Sequence, residues 1–214
     1  MIIGVVGFAG SGKGTVGDLL VDNYGYKKMA FADPVKDATA VIFGWDRSLL
    51  EGDTDESRAF RETPDEFWSE RFGFEVTPRW ALQKMGTEGG RDTFHDSLWV
   101  TALERRIDCD NIVVSDVRFP NEIKKIKSLG GHVVRVIRGD EPEWYDTAYE
   151  QNTLIGQKNL MTEKYPNVHI SEWAWIGSSM DFVLYNNGSK SELEANVSYM
   201  LKVFQGPTAI QNVA

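Results

Sequence analysis

Residues 7–15 of this 214-residue chain read GFAGSGKGT, a glycine-rich stretch whose last three residues are lysine, glycine and threonine. Glycine lets the backbone curl until successive N–H groups point inward, and a helix that starts there adds positive potential. The Lys13 ammonium adds a full charge to this cradle, which suits the oxygens of a nucleotide triphosphate. We call residues 7–15 the phosphate loop. The residues expected to bind ATP there are Gly10, Ser11, Gly12, Lys13, Gly14 and Thr15.

The phosphate loop departs from its usual pattern at the position that binds metal. Gly14 follows Lys13, where most such loops carry the Ser or Thr whose hydroxyl binds Mg²⁺. The hydroxyl is therefore missing or displaced to Thr15. Asp116 follows an apolar run and is expected at the carboxyl edge of a sheet, where a carboxylate can hold Mg²⁺ or its waters. Thr15 and Asp116 are the expected metal residues, and an Asp that merely starts a turn is the alternative for Asp116.

A cationic side chain lies two residues beyond Asp116. Arg118 carries a planar guanidinium, which can neutralise charge on several phosphoryl oxygens at once. We expect Lys13, Asp116 and Arg118 to be the catalytic residues of a phosphoryl-transfer site.

Polar groups beside predicted helices are candidates for binding the phosphoryl acceptor. They are Asp33, Lys36, Arg79 and Gln83. Arg79 and Gln83 are four residues apart and share one helix face, where an arginine could clamp a phosphate while the amide reads a base edge. A solvent-exposed role is the alternative for Arg79.

Alternating strand and helix patterns must position these groups. Apolar and β-branched runs predict strands at 1–6, 28–32, 111–115, 133–137 and 181–185. Helical spacing follows most of these runs, and the glycine-rich residues after Met85 predict a break. This order predicts an α/β fold with a mainly parallel sheet flanked by helices on both faces.

Composition excludes several other classes of protein. The 23 Lys and Arg against 32 Asp and Glu give a formal charge of −9, so no global positive field attracts nucleic acid or an anionic membrane. Cys109 is the only cysteine, which excludes an internal disulfide and suits a reducing compartment. The apolar N-terminus lacks a basic start and is too short to span a membrane. We expect a cytoplasmic location.

The phosphate loop and five further blocks resemble those of one family. The spelling GxxGxGKGT is that of nucleoside monophosphate kinases. The other blocks are FADPVKD at 31–37, RWALQKMGTE at 79–88, SDVRF at 115–119, HISE at 169–172 and NNGS at 186–189. Their order spans nearly the whole chain and is similar to that of phage-type deoxynucleoside monophosphate kinases. The resemblance implies the P-loop kinase fold, ATP and Mg²⁺ as cofactors, and transfer of the γ-phosphoryl group to a deoxynucleoside monophosphate.

The same resemblance implies two sets of binding residues. The acceptor site would be lined by Asp33, Lys36, Arg79, Gln83, Gly86, Thr87, Trp99, Arg118 and Glu122. Asn187 and Gly188 would lie beside the adenine of ATP, and Arg138 would reach its phosphates. The expected partners are small nucleotides rather than nucleic acid or membranes, and a homodimer stays open. A phage-encoded enzyme of this kind would work in the host cytoplasm.

We expect one domain over residues 1–204, with a tail at 205–214. Within it, 33–108 would bind the acceptor, and 139–168 would form a lid that excludes water. A static surface loop is the alternative for 139–168. Two other functions stay open, a P-loop kinase of another small molecule such as dephospho-coenzyme A, and a nucleotide-binding switch protein. The chain has no Asn-Lys-x-Asp sequence for reading guanine, which argues against a GTPase.

Overall fold

The computed structural model describes residues 1–154 and 159–206, which contain a five-stranded sheet and a series of helices. The strands are β1 (Ile2–Val6), β2 (Lys27–Met29), β3 (Ile112–Val114), β4 (His132–Ile137) and β5 (Phe182–Tyr185). The α-helices of this described part are α1 (Lys13–Tyr24), α2 (Asp33–Phe43), α3 (Asp55–Glu62), α4 (Glu66–Phe72), α5 (Pro78–Lys84), α6 (Leu98–Arg105), α7 (Pro120–Ser128), α8 (Tyr145–Thr153), α9 (Leu160–Lys164), α10 (Ile170–Trp173) and α11 (Lys190–Gln205). Residues 207–214 of the expected tail lie outside the described residues.

The sheet is parallel throughout, with the strand order β2-β3-β1-β4-β5. The central strand, β1, pairs with β3 on one side and β4 on the other, so that the residues after these three strands emerge at the same edge. The predicted strands are confirmed, although the second ends at Met29 rather than at 32. The predicted α/β class and mainly parallel sheet are also confirmed.

Helices cover both faces of the sheet. On one face, α1 and α11 bury a core with alternate residues of the strands, including Val5, Val134 and Leu184. On the other face, Ile126 of α7 packs against Gly4 of β1, where a Cβ would lie 2.4 Å from the isoleucine Cδ1. The predicted flanking by helices on both faces is therefore confirmed.

The chain forms two compact units. The first comprises Met1–Met29 with Asp108–Ala214, and it holds the five strands and the phosphate loop. The second, Ala30–Ile107, is helical and spans nearly the residues 33–108 that were expected to bind the acceptor. Among the residues described, no helix is both long and apolar enough to cross a membrane. Cys109 is exposed and not paired in a disulfide.

Residues 45–76 show little pattern in the sequence, yet they fold into a 3₁₀ turn at Ser48–Leu50 and the helices α3 and α4. Aromatic residues hold this part of the second unit together. Trp45 stacks on Phe43 with ring centroids 4.5 Å apart, and its indole N–H donates to Asp65 at 2.7 Å. The indole N–H of Trp68 donates to the carbonyl of Phe43 at 2.9 Å. The two hydrogen bonds join residues 20 and 25 positions apart in sequence, which is why periodicity did not reveal them.

The predicted break after Met85 is wrong. Helix α5 instead continues directly into a π-helix, Met85–Asp92. The reason lies in Trp99 of α6, a buried residue whose indole N–H donates to the carbonyl of Gly86 at 2.8 Å. The Trp99 ring also occupies the place where a side chain at Gly90 would be, since a Cβ there would lie 2.3 Å from Cζ2. The glycines therefore make room for the tryptophan instead of ending the helix.

The contact between Gly90 and Trp99 predicts a clear difference between two glycine substitutions. Gly90→Ala should lower the free energy of unfolding by about 1–3 kcal/mol, because the buried ring has to move. Gly86→Ala is the matched control, since its Cβ would meet only Val35 at an ordinary 3.8 Å. Urea denaturation of both variants measures the difference. Equal unfolding midpoints for the two would contradict this account of the π-helix.

Candidate active site

The phosphate loop connects β1 to α1 and is closed by a contact from the far end of the chain. Gly12 is the N-cap of α1 with φ +101°, a backbone conformation that favours glycine. A Cβ at Gly12 would lie 2.3 Å from the Asn186 side-chain nitrogen. That nitrogen donates to the carbonyl of Ser11 at 2.9 Å. The residue after β5 therefore fixes the curled loop in place.

Sequence reasoning missed Asn186 as a site residue. Its signal was present, because Asn186 is the first residue of the NNGS block, but only the next two positions were assigned a role. The structure places Asn187 close by, where its side-chain oxygen accepts from the backbone N–H of Gly139 at 2.8 Å. Gly188 follows, just before the N-cap Ser189 of α11. This block therefore links the phosphate loop with the start of segment 139–168.

Lys13 is the first residue of α1, and its ammonium turns back onto the phosphate loop. It donates to the carbonyls of Gly7 at 2.7 Å and Phe8 at 2.8 Å. Burial and, to a smaller extent, the nearby positive charge of Arg118 lower the pKa of Lys13 to about 8, while Glu172 acts in the opposite direction. The charged form of Lys13 is thus disfavoured, mainly by its burial and additionally by the nearby arginine. An anion is what would stabilise such an arrangement.

Arg118 follows β3 and is held at both its backbone and its side chain. Its guanidinium donates to the carboxylate of Glu172 at 2.7 Å and to the Ser171 hydroxyl at 3.3 Å. Its backbone N–H donates at 2.7 Å to Glu122, a carboxylate only 2% exposed that also accepts from the N–H of Phe119 at 3.0 Å. The buried Glu122 therefore fixes the backbone from which the Arg118 side chain extends.

The expected metal residues lie at the same edge of the sheet. Asp116 is partly exposed two residues after β3, and Thr15 is exposed in the first turn of α1. Across the described residues no group of three or more His, Cys, Asp or Glu could hold a metal ion alone. This donor set fits Mg²⁺ brought in on a nucleotide, because Mg²⁺ usually binds one or two carboxylates together with phosphates and water.

A cavity of about 290 Å³ opens beside the phosphate loop. Its wall includes Ser11 of the loop, Arg138 just after β4, and Glu172. Ser11 is 4% exposed, and its hydroxyl has no hydrogen-bond partner among the residues described. Arg138 is exposed.

The second unit holds most of the expected acceptor residues, and two of them belong to a network of charges. The Arg47 guanidinium contacts Asp33 at 3.2 Å, Asp37 at 2.6 Å and the carboxylate of Glu51. Lys36 donates to the same Glu51. Burial alone would raise the pKa of Glu51, but Lys36 and Arg47 lower it overall. Asp33 and Lys36 are thus held in fixed positions by Arg47 and Glu51, which sequence reasoning did not single out.

The remaining acceptor candidates differ in exposure. Arg79 and Gln83 are exposed on α5, as the solvent-facing alternative for Arg79 requires, and Arg79 pairs with Glu62. Thr87 is exposed in the π-helix, whereas Trp99 is buried against it. Trp99 therefore packs against the π-helix that carries Gly86 and Thr87 and stabilises it through its hydrogen bond to Gly86. Arg118 and Glu122 of the same predicted set lie in the first unit.

Similarity to two proteins of described function shows which family of kinases this chain belongs to. A mimivirus protein (Acanthamoeba polyphaga mimivirus) described as a deoxynucleotide monophosphate kinase is 35% identical over 152 residues, which cover 64% of this chain and 74% of that protein. The deoxynucleoside-5′-monophosphate kinase of Escherichia phage T5 is 30% identical over 174 residues, 57% of this chain and 70% of that enzyme. This chain belongs to the deoxynucleoside monophosphate kinase family.

This membership confirms the family that the sequence motifs predicted. No protein-family model matches the chain. Among solved structures, a shikimate kinase from Aquifex aeolicus is similar at 16% identity and a TM-score of 0.44, over 94% of this chain and 96% of that one. A dephospho-CoA kinase from Campylobacter jejuni is similar at 13% identity and a TM-score of 0.40, over 96% and 98%.

The lowered pKa of Lys13 predicts how nucleotide binding depends on pH. Phosphate favours the charged ammonium, so ATP affinity should be highest below pH 8 and fall above it by up to about tenfold per pH unit. Calorimetric titration with ATP between pH 7 and 9.5 measures this fall, along with the proton taken up on binding.

Lys13→Arg is the control for the pH series. A guanidinium keeps its charge over this whole range, so its affinity should show no fall near pH 8. A flat profile in the wild-type protein would mean that Lys13 keeps its proton throughout and that the burial argument fails.

Proposed function

We propose that this chain transfers the γ-phosphoryl group of ATP to a deoxynucleoside monophosphate, producing ADP and a deoxynucleoside diphosphate. The phosphate loop carries this conclusion. Its Lys13 ammonium and curled backbone lie at the carboxyl edge of a parallel sheet, and Arg118 lies within electrostatic range of Lys13. Family membership narrows phosphoryl transfer to one class of acceptor.

On the donor side, we infer that Lys13 follows the β- and γ-phosphates while the loop N–H groups and the start of α1 bind their oxygens. Lys13 would then leave the carbonyls of Gly7 and Phe8, which it contacts in the present structure. Arg138 would contact the phosphates, and Asn187 with Gly188 would border the adenine. Their position after β4 and β5 supports this assignment, since both strands end at the edge where the loop lies.

On the acceptor side, the proposal keeps the residues that the family resemblance implies, taken in each unit by itself. Arg118 would bind a phosphate through the N–H groups of its guanidinium. Glu122 would hold Arg118 in place by accepting from its backbone N–H. In the second unit, the residues proposed to contact the acceptor are Asp33, Lys36, Arg79, Gln83, Gly86 and Thr87, with Trp99 shaping the helix beneath the last two. The charge network around Arg47 supports this, because it fixes two of these side chains before any substrate arrives.

Mg²⁺ is proposed to enter with ATP and to neutralise charge on the phosphoryl oxygens. Asp116 and Thr15 would hold it, directly or through water. Because Gly14 lacks the usual hydroxyl ligand, the carboxylate of Asp116 would be the main protein ligand of Mg²⁺.

The segment 139–168 is proposed to cover the bound nucleotides and exclude water. Its described parts include α8 and α9, and residues 155–158 lie outside the described residues. The sequence showed little helical periodicity here, so these short helices were not predicted. Trp144 makes the segment observable, because its ring lies 5.3 Å from that of Phe8 in the phosphate loop.

A panel of acceptors tests the function directly. Deoxynucleoside monophosphates, ribonucleoside monophosphates and dephospho-coenzyme A are each supplied with ATP, and ADP release is followed in a coupled assay. Turnover with at least one deoxynucleoside monophosphate is expected. Lys13→Ala should reduce it by about 100- to 1,000-fold, because a charge that stabilises the transferring group is lost. Ser11→Ala, in the same loop, should be mild, and equal turnover in Lys13→Ala and wild type would refute the assignment of the loop.

Substitution of Asp116 tests the metal proposal. Asp116→Asn should raise the Mg²⁺ concentration that gives half-maximal turnover by about tenfold, because an amide replaces the anionic ligand. Asp22→Asn is the control, since Asp22 is an exposed carboxylate on α1. If Asp116→Asn and Asp22→Asn give the same Mg²⁺ titration as the wild type, the metal role belongs to another residue.

A further inference from the structure

Arg135 is a cation in the middle of the parallel sheet, and neither the sequence patterns nor the proposed function gives it a task. It lies in β4 between Val6 of β1 and Val183 of β5. Its side chain is 13% exposed. Interior strands of parallel sheets are normally apolar, and a buried charge is costly unless it is paired. A cation retained at this position therefore calls for an explanation.

Three aromatic rings enclose the Arg135 guanidinium. Its central carbon lies 5.0 Å from the ring centroid of Tyr145, 5.0 Å from that of Trp175 and 5.9 Å from that of Phe8. The rings also contact one another, since Phe8 lies 5.1 Å from Trp175 and 5.3 Å from Trp144. Because a guanidinium is attracted to ring faces within about 6 Å, Arg135 holds the cluster together. We call Phe8, Trp144, Tyr145 and Trp175 the aromatic cluster.

Hydrogen bonds fix the orientation of the guanidinium within the aromatic cluster. One terminal nitrogen of Arg135 donates to the Tyr145 hydroxyl at 3.0 Å, and the other donates to Glu141. Its Nε is buried and finds no partner within the described part of the chain. Both bonded groups belong to segment 139–168, whereas Phe8 belongs to the phosphate loop. Arg135 thus connects the loop with the segment proposed to cover it.

Phe8 transmits this arrangement to the charged group of the site. Its ring contacts Arg135, and its backbone carbonyl accepts from the Lys13 ammonium at 2.8 Å. Phe8 therefore joins Arg135 to the backbone of the phosphate loop, where Lys13 is held in the present structure. We propose that Arg135 is a positioning residue that sets the phosphate loop through Phe8 and couples it to Trp144 and Tyr145.

The proposal deepens the proposed function and rests on it only for the turnover measurements. Its central measurement is direct binding of ADP, which needs no acceptor. Arg135→Met keeps much of the packing volume and removes the charge and the hydrogen bonds. Arg135→Lys keeps a cation beside the rings but loses the planar fork to Tyr145 and Glu141. Lys127→Met is the matched control, since Lys127 is a surface cation of the same unit that pairs with Asp181.

Arg135→Met should weaken ADP binding and raise the KM for ATP by about tenfold, while the KM for the acceptor changes less than about twofold. Arg135→Lys should be intermediate, and Lys127→Met should match the wild type. ADP should also change the tryptophan fluorescence of the wild type, and this change should be absent from Trp144→Phe and from Arg135→Met. Melting temperatures and circular dichroism of each variant separate these effects from a loss of folded protein.

A purely structural role for Arg135 would raise both KM values together or leave the ADP-induced signal of Trp144 intact, and either result overturns the proposal. If Arg135→Met does not fold, Tyr145→Phe replaces it, because it keeps the ring and removes only the hydroxyl that accepts from Arg135. A rise of about threefold in the dissociation constant of ADP would support the proposal. An unchanged dissociation constant and signal would overturn it. Failure of the wild type to phosphorylate any deoxynucleoside monophosphate would refute the proposed function alone.

Discussion

The Lys13 ammonium is the charge around which the first unit is arranged. It is largely buried, it contacts two carbonyls of its own loop, and it lies within electrostatic range of a second cation, Arg118. Holding these two cations together requires compensation, which Glu172 supplies through its bond to Arg118 and its favourable effect on Lys13. A nucleotide phosphate would compensate the repulsion between Lys13 and Arg118 more completely. The two cations of the site therefore favour the binding of an anion.

The contacts that hold the site together come from distant parts of the chain. Asn186 reaches the carbonyl of Ser11 across 175 positions in sequence. Glu122 accepts from two backbone N–H groups just before its own helix and so fixes the backbone at Arg118. Such supporting residues reduce the freedom of the groups that act on substrate, which is how a small enzyme gains orientation before binding.

Much of the fold could be predicted because its signals are local. The five strands are short β-branched or apolar runs, and the phosphate loop is a fixed spacing of glycines and one lysine. Arg135 could not be predicted, because a single arginine in an apolar strand becomes meaningful only once Phe8, Tyr145 and Trp175 are seen around it. The π-helix was missed for a similar reason, since its glycines look like a break until Trp99 is placed beside them. The periodicity of apolar residues reflects local structure only. It does not show which residues distant in sequence will be in contact in the fold.

The π-helix Met85–Asp92 also constrains how this protein can change during evolution. A π-turn contains more residues than an α-turn, so deletion of a single residue there would restore the regular ladder that begins in α5. A deletion before Gly90 would rotate every following side chain about the helix axis and would carry Gly90 away from the Trp99 ring, for which this glycine makes room. Insertions and deletions in this stretch should therefore be rarer among related enzymes than substitutions. In the surrounding loops, where no such register exists, length should vary freely.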